Sequence, residues 1–220
     1  MNLEMYYIRA ELVNYINEVI QFHYNQNDKG HGIDHAEYVI DRSLIFAEKI
    51  ANIDYEILYC VAAYHDVAHH IDAKKHEKLS AKILSEDEHL KKFFTTEQIK
   101  IMSEAVEDHR SLMNGEPRNI YGKIVSSADR NTDVTTTLKR CYSYNRKHYP
   151  ELSKSQVIEE CRLFIIKKFG INGYARTKMY FDDGLYRKYL DDITNLASNK
   201  EKFYATICEV NEIEKLESDF

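Results

Sequence analysis

The stretch Ala-Ala-Tyr-His-Asp-Val-Ala, residues 62–68, ends an apolar helical segment on the adjacent pair His65 and Asp66. Burying an imidazole and a carboxylate side by side is costly unless each has a partner, and a divalent cation satisfies both. A core histidine hydrogen-bonded to a neighbouring acid is the alternative for such a dipeptide. Two further residues favour the metal, because His35 and Asp129 stand at the edges of other apolar segments.

The composition excludes some classes of partner. Of the 220 residues, 44% are hydrophobic and 30% are charged, and the net charge is −6. This acidic balance disfavours a nucleic-acid polymer but allows a small anionic substrate where cations gather. The four cysteines form no Cys-x-x-Cys pair and fit a reducing compartment. No secretory leader or membrane span is evident in the sequence, so we expect a cytoplasmic protein with no membrane partner.

An all-α fold is expected, because only seven glycines and two prolines interrupt the chain and no window alternates convincingly between apolar and polar residues. Capping boxes are predicted for Thr95 with Gln98 and for Ser153 with Gln156. Asp54 and Asn199 are predicted helix caps. The predicted helices cover residues 3 to about 24, 36–50, 55–65, 75–86, 96 to about 108, 120–129, 133 to about 147 and 154–169, followed by two helices from about 174 and a charged tail at 212–219.

The order of His35, the pair His65-Asp66 and Asp129 resembles the signature of the HD-domain metal-dependent phosphohydrolases. His35 lies in H-G-I-D-H-A-E-Y-V (31–39), and Asp129 lies in I-V-S-S-A-D-R (124–130). Residues 175–193 are similar to the tail of small standalone bacterial members. The resemblance implies an HD-domain-like helical bundle with additional C-terminal helices. We expect one domain over residues 1–220, with a motif core at about 31–133 and a helical extension at about 134–220.

The resemblance also implies a divalent transition metal bound by His35, His65, Asp66 and Asp129. Two imidazoles and two carboxylates suit Mn, Fe, Co, Ni or Zn and do not select among them. Asp129 has a second interpretation, because an aspartate there could cap the helix that begins near Asp133.

A second ion is suggested by two more histidines. His76, in K-K-H-E-K-L-S-A-K-I-L (74–84), and His109, in A-V-E-D-H-R (105–110), resemble segments of the dinuclear branches. Asp66 would then bridge the two ions. The alternative is a single ion, with His76 and His109 acting as hydrogen-bonding or substrate-contacting groups.

The predicted catalytic residues are Asp66, His69 and His109. His69 lies one helical turn after His65 and faces the same way. Related branches place lysine or glutamate there, so the resemblance does not extend to cyclic dinucleotide or alarmone hydrolases. Hydrolysis of a phosphate ester spreads negative charge over the phosphoryl oxygens, so we expect cationic side chains near the site in addition to the metal. The candidates, each of which could instead be a solvated surface charge, are Arg110, Arg118, Lys123 and Arg130.

The implied function is hydrolysis of a small phosphorylated metabolite, with a nucleotide favoured and a phosphomonoester or pyrophosphate bond cleaved by metal-activated water. Asp66 or Asp129 would accept the proton of water, and His69 or His109 would protonate the leaving oxygen. Two alternatives stay open: a non-catalytic module that senses a metal or nucleotide, and a di-iron oxygenase on the same framework. A homodimer is also left open.

Overall fold

Helices form all the regular secondary structure in the part of the chain that the computed structural model describes, residues 3–28, 30–111, 113–181 and 183–212. No strand occurs in those ranges, so the all-α prediction is confirmed. The chain divides into two compact units, residues 1–129 and 130–220. This boundary lies close to the expected end of the motif core at about residue 133, while the single domain over 1–220 stays a prediction.

The first unit contains six α-helices and two short 3₁₀ turns in its described residues. Its central helix carries an unbroken run of buried side chains at residues 57–64 and packs against helices on several sides. Each large apolar side chain in that run stabilises the fold by about 1.5–3 kcal/mol through burial. The helices are α1 (Ala10–Tyr24), α2 (Ile33–Ala47), α3 (Tyr55–Tyr64), α4 (His76–Glu86), α5 (Thr96–Glu107) and α6 (Ile120–Ala128), and the turns are Leu3–Tyr6 and Leu90–Lys92.

The second unit has four α-helices in its described residues, packed around the core side chains Leu138, Cys161, Ile165, Ile193 and Phe203. None of the described helices of the chain is both long and apolar enough to cross a membrane. The helices are α7 (Val134–His148), α8 (Lys154–Phe169), α9 (Gly184–Ser198) and α10 (Lys200–Val210), with a 3₁₀ turn at Tyr174–Arg176.

The predicted caps are confirmed. The Asp54 side chain accepts hydrogen bonds from the first turn of α3, and Asn199 accepts one from Lys202 N–H at the start of α10. Both capping boxes form, at Thr95 and at Ser153. These are local interactions, which a sequence pattern specifies directly.

Three predicted helices have different bounds in the structure. The first helix is broken after Tyr6, because Tyr7 adopts a left-handed conformation with φ 55° and α1 begins only at Ala10. Helix α2 begins three residues before the predicted start and ends at Ala47, so Ile50 lies beyond it. Most of the segment from 174 to 183 precedes α9 as a 3₁₀ turn and loop. Residues 213–219 of the predicted charged tail lie outside the described residues.

Candidate metal centre

Six ligand-type side chains of the first unit converge from the ends of its helices. His65 caps the C-terminus of α3, and Asp66 follows it in a tight turn. Asp129 caps the C-terminus of α6, while Asp133 caps α7, so the alternative role of Asp129 as that N-cap is not used. The remaining three are His35 in the first turn of α2, His76 at the first position of α4 and His109 just after α5.

One cluster joins His35, His65, Asp66 and Asp129. His35 Nε2 lies 3.2 Å from His65 Nε2 and 3.1 Å from Asp129 Oδ1. Asp66 Oδ2 lies 3.6 Å from His35 Nε2 and 3.7 Å from His65 Nε2. His35, His65 and Asp66 offer ligand atoms within 4.8 Å of one another, and Asp129 Oδ1 lies within 4.0 Å of both imidazoles. These are the four residues that the sequence pattern selected.

A second cluster lies on the other oxygen of Asp66. Asp66 Oδ1 is 3.0 Å from His76 Nε2 and 3.7 Å from His109 Nε2. The two histidine Nε2 atoms are 3.1 Å apart. The Asp66 carboxylate therefore stands between two groups of imidazole nitrogens, one for each of its oxygens.

Three of these histidines are oriented by the main chain. The Nδ1 atoms of His65, His76 and His109 donate to carbonyl oxygens three residues upstream, at 2.6, 3.0 and 2.6 Å respectively. A carbonyl only accepts hydrogen bonds, so Nδ1 carries a proton in each ring, and a ring in its neutral form presents its Nε2 lone pair to the cluster. Protein metal sites commonly orient histidine ligands in this way.

Two buried side chains hold the ligand-bearing helix ends. The Tyr24 hydroxyl accepts the Asp66 backbone N–H at 3.2 Å and donates to the Ala63 carbonyl at 3.1 Å. Arg42 of α2 donates to the Ala128 carbonyl at 3.2 Å, which fixes the last turn of α6 immediately before Asp129. A cation at a helix C-terminus is also favoured by the helix dipole.

The electrostatics of the first cluster leave its carboxylates ionised. Burial lowers the pKa of His35, but the hydrogen bond with Asp129 and the negative charge of Asp66 outweigh it and raise that pKa to about 9. Burial would raise the pKa of Asp129, and the hydrogen bond from His35 instead lowers it to about 2. Burial likewise opposes ionisation of Asp66, whose interactions with His65 and His35 hold its pKa well below its usual range. Burial lowers the pKa of His65 to about 4, so its imidazole is neutral near pH 7.

These residues fit a divalent cation. Asp66 Oδ1 is buried and accepts no hydrogen bond of acceptable geometry, although His76 Nε2 is 3.0 Å away. A buried carboxylate oxygen without a hydrogen bond is costly, and a cation would satisfy it together with the facing imidazole lone pairs. The two groups, His35–His65–Asp66 and Asp66–His76–His109, each offer ligand atoms within 4.8 Å of one another.

The centre is accessible on one side. The side chains of His65, Asp66 and His109 are 0–4% exposed, whereas that of His35 is 16% exposed and that of Asp129 is 28% exposed. His69 lies beside the second cluster, with its ring centroid 5.2 Å from that of His76. Burial and the nearby His31 lower the pKa of His69 to about 4. The open side of the centre is therefore formed by His35, Asp129 and His69.

The four candidate phosphate-binding cations all contact protein groups. Arg110 Nη1 donates to the Lys74 carbonyl at 3.0 Å and to Glu77 Oε2 at 3.3 Å. Glu77 Oε2 is itself 3.8 Å from His76 Nδ1, so Arg110 is one contact away from the second cluster.

The other three cations have structural partners. Arg118 binds both oxygens of Asp108 at 2.8 Å and thereby holds the residue that precedes His109. Lys123 pairs with Glu116 at 2.8 Å. Arg130, in the second unit, is buried and donates to main-chain carbonyls of Ala175, Thr177 and Lys178. Binding of phosphate by any of the four stays a prediction.

Asp28 and His31 were not among the site residues predicted from the sequence. Both lie in the polar loop between α1 and α2, and they form a third ligand-type group with His69. The signal that could have found them is the spacing Asp28-x-x-His31-x-x-x-His35, which leads directly into the first predicted ligand.

Comparison with known proteins finds a family match over part of the chain. The HD-domain family model matches residues 32–132, a range that contains all six residues of the two clusters. Among solved structures, a predicted HD superfamily hydrolase from an uncultured Thermotogales bacterium is similar, with 21% identity and a TM-score of 0.46 over 71% of this chain and 86% of that chain. A search of the curated proteins gives no match.

Proposed function

We propose that this HD-domain protein is a metal-dependent hydrolase whose centre holds two divalent cations and hydrolyses a small phosphorylated metabolite, with a nucleotide the favoured substrate. The HD domain supports a metal-dependent hydrolase. The phosphate specificity rests on one observation, the position of Asp66 between two groups of imidazole nitrogens. Carboxylate-bridged pairs of cations are typical of phosphatases and nucleases, where the two ions lie about 3.5–4 Å apart.

Two cations bound there would neutralise charge on phosphoryl oxygens and activate water. The buried side chains His65 and His109 exclude bulk water from the floor of the site, which strengthens each charge interaction above it. Their main-chain hydrogen bonds keep the Nε2 atoms aimed inward without reorganisation.

We assign proton acceptance from water to Asp129 or Asp66. Asp129 is the more accessible of the two, and its pKa of about 2 keeps it ionised near neutral pH. We assign contact with the leaving oxygen to His69, which lies at the open side of the centre. Its imidazole is neutral near pH 7, because its pKa is lowered to about 4. His109 is the weaker candidate for this step, because its Nε2 atom faces Asp66 and His76 as a ligand would.

We assign the first phosphate contact beyond the metals to Arg110. It directly follows His109, and its ion-pair partner Glu77 adjoins His76. Its guanidinium is partly exposed and can offer two parallel N–H donors to a phosphate by exchanging its present partners.

A metal-by-substrate panel tests the proposal. The purified chain would be loaded separately with Mn, Fe, Co, Ni and Zn and assayed for phosphate and pyrophosphate release from nucleoside mono-, di- and triphosphates and from phosphodiesters. We expect release with at least one pair and loss of that release in Asp66→Asn. No release from any substrate, with two ions confirmed per chain, would contradict the proposal and favour a sensing module. Oxygen-dependent turnover limited to the iron-loaded protein would favour an oxygenase.

A further inference from the structure

Asp28, His31 and His69 form a ligand cluster at the open side, separate from the six residues above. His31 Nδ1 lies 3.0 Å from Asp28 Oδ1, and His69 Nδ1 lies 3.9 Å from Asp28 Oδ2. The two imidazole rings stack with centroids 3.7 Å apart and planes inclined by 20°. Both Nδ1 edges therefore face the two oxygens of one carboxylate.

The use of Nδ1 distinguishes this cluster from the buried centre. In His65, His76 and His109 the Nδ1 atom donates to a main-chain carbonyl, so only Nε2 can bind a metal. In His31 and His69 the Nδ1 atoms face a carboxylate instead. One carboxylate and two imidazole nitrogens directed at the same space are a donor set for a transition metal.

The cluster is held in place by the Asn27 side chain, which joins the two segments that carry it. Asn27 Nδ2 donates to the His31 carbonyl at 2.9 Å and to the Asp66 carbonyl at 3.0 Å. Its Oδ1 accepts the His70 backbone N–H at 2.8 Å. One amide thus fixes the Asp28–His31 loop against the turn that carries His69, so the three ligands are positioned before any ion binds.

We propose that Asp28, His31 and His69 bind a third divalent transition-metal ion, more weakly than the two clusters of the buried centre. Three protein ligands with an exposed carboxylate leave coordination positions open to water or to an oxygen of an anionic ligand. The ion would lie beside the centre, because the His31 ring is 5.5 Å from that of His35 and the His69 ring is 5.2 Å from that of His76, measured between centroids. The proposal rests on this geometry and does not require the proposed reaction.

The variant Asp28→Asn removes the charge while keeping the local turn. Asp28 Oδ1 accepts the Gly30 N–H at 2.7 Å, and an asparagine oxygen can accept the same bond. Asp72→Asn is the matched control, because Asp72 Oδ1 accepts the Lys74 N–H in the same kind of turn at 2.9 Å. Among the described residues, Asp72 belongs to none of the three ligand groups.

Equilibrium dialysis of the full chain against Co²⁺, with metal counted by mass spectrometry, tests the proposal. We expect three ions per wild-type chain at saturation, the third released first as free Co²⁺ falls. Asp28→Asn and His69→Asn should each bind two, and Asp72→Asn should bind three. An ion count in Asp28→Asn equal to that of the wild type, or an equal loss in Asp72→Asn, would overturn the third site. Failure of the buried centre is distinguishable, because it removes the tightly held ions instead.

Discussion

The Nε2 atoms of His76 and His109 lie 3.1 Å apart in a buried site, although each ring already uses its Nδ1 proton to bond a main-chain carbonyl. In their neutral forms the two rings direct lone pairs at each other, an arrangement that is repulsive in isolation. A cation shared between them and Asp66 Oδ1 converts this repulsion into coordination. On the other Asp66 oxygen, His65 is oriented in the same way by the Ala62 carbonyl, and its Nε2 lies 3.2 Å from that of His35.

Asp66→Asn should abolish turnover while leaving the helices folded. The substitution preserves size but removes the negative charge that both groups of imidazoles share. We expect phosphate release to fall by about 10²–10³-fold or more under metal-saturating conditions, because charge stabilisation at the reacting centre is lost. Circular dichroism measures the helical content, which should match that of the wild type. Near-normal phosphate release in this variant would contradict both the ligand assignment and the proposed function.

His76→Asn should reduce the tightly bound metal from two ions to one. The first cluster keeps His35, His65, Asp66 Oδ2 and Asp129, whereas the second loses one of its three ligands. Metal content after dialysis against dilute chelator measures the effect. His89→Asn is a suitable control, because His89 is a half-buried histidine stacked on Tyr15 that belongs to none of the ligand groups among the described residues. An equal count of tightly bound ions in His76→Asn and the wild type would contradict the binding of an ion by the second cluster.

Removal of metal should lower the melting temperature without unfolding the chain at 25 °C. A ligand that binds only the native state at 100 times its dissociation constant contributes about 2.7 kcal/mol, equivalent to about 5–10 °C for a domain of this size. Thermal scans before and after chelation measure the shift, and readdition of metal should restore it. Asp66→Asn should show a much smaller response to metal than the wild type. A melting temperature that is independent of metal in the wild type would argue against bound ions in the native state.

Arg110→Gln should weaken substrate binding and leave the metal content close to that of the wild type. A lost charge-assisted hydrogen bond to phosphate is worth about 1.5–3 kcal/mol, or roughly 10–100-fold in kcat/KM. Arg146→Gln is the matched control, since Arg146 also donates Nη1 to a main-chain carbonyl, at 3.1 Å, but lies on α7. Steady-state kinetics on the substrate of the panel with the highest activity measure the change in kcat/KM. An unchanged kcat/KM in Arg110→Gln would remove Arg110 from the proposed phosphate contacts.

The sequence predicted the features that depend on local interactions or on a motif. The caps at Asp54, Thr95, Ser153 and Asn199 each involve residues two or three positions apart, so a short pattern specifies them. The break at Tyr7 was not predictable in this way. A left-handed tyrosine carries no glycine or proline signal, and a positive φ is uncommon for residues other than glycine.

The same contrast applies to the candidate site. The six predicted ligands stand in recognisable segments, but the grouping of Asp28 and His31 with His69 depends on how a loop folds against a turn some forty residues away. For the predicted phosphate-binding cations, the sequence gives the charge of each side chain but not its interaction partner. Charge alone could not reveal that Arg118 is engaged by Asp108 or that Arg130 binds carbonyls of the second unit.

Anomalous diffraction from a crystal of the Mn²⁺-loaded protein tests the central claim most directly, because it locates the ions without reference to activity. The account predicts two strong peaks about 3.5–4 Å apart, one near each oxygen of the Asp66 carboxylate. The first peak should be ligated also by His35, His65 and Asp129, and the second by His76 and His109. A single peak at Asp66 under saturating Mn²⁺, or two peaks that share no ligand from Asp66, would contradict the account.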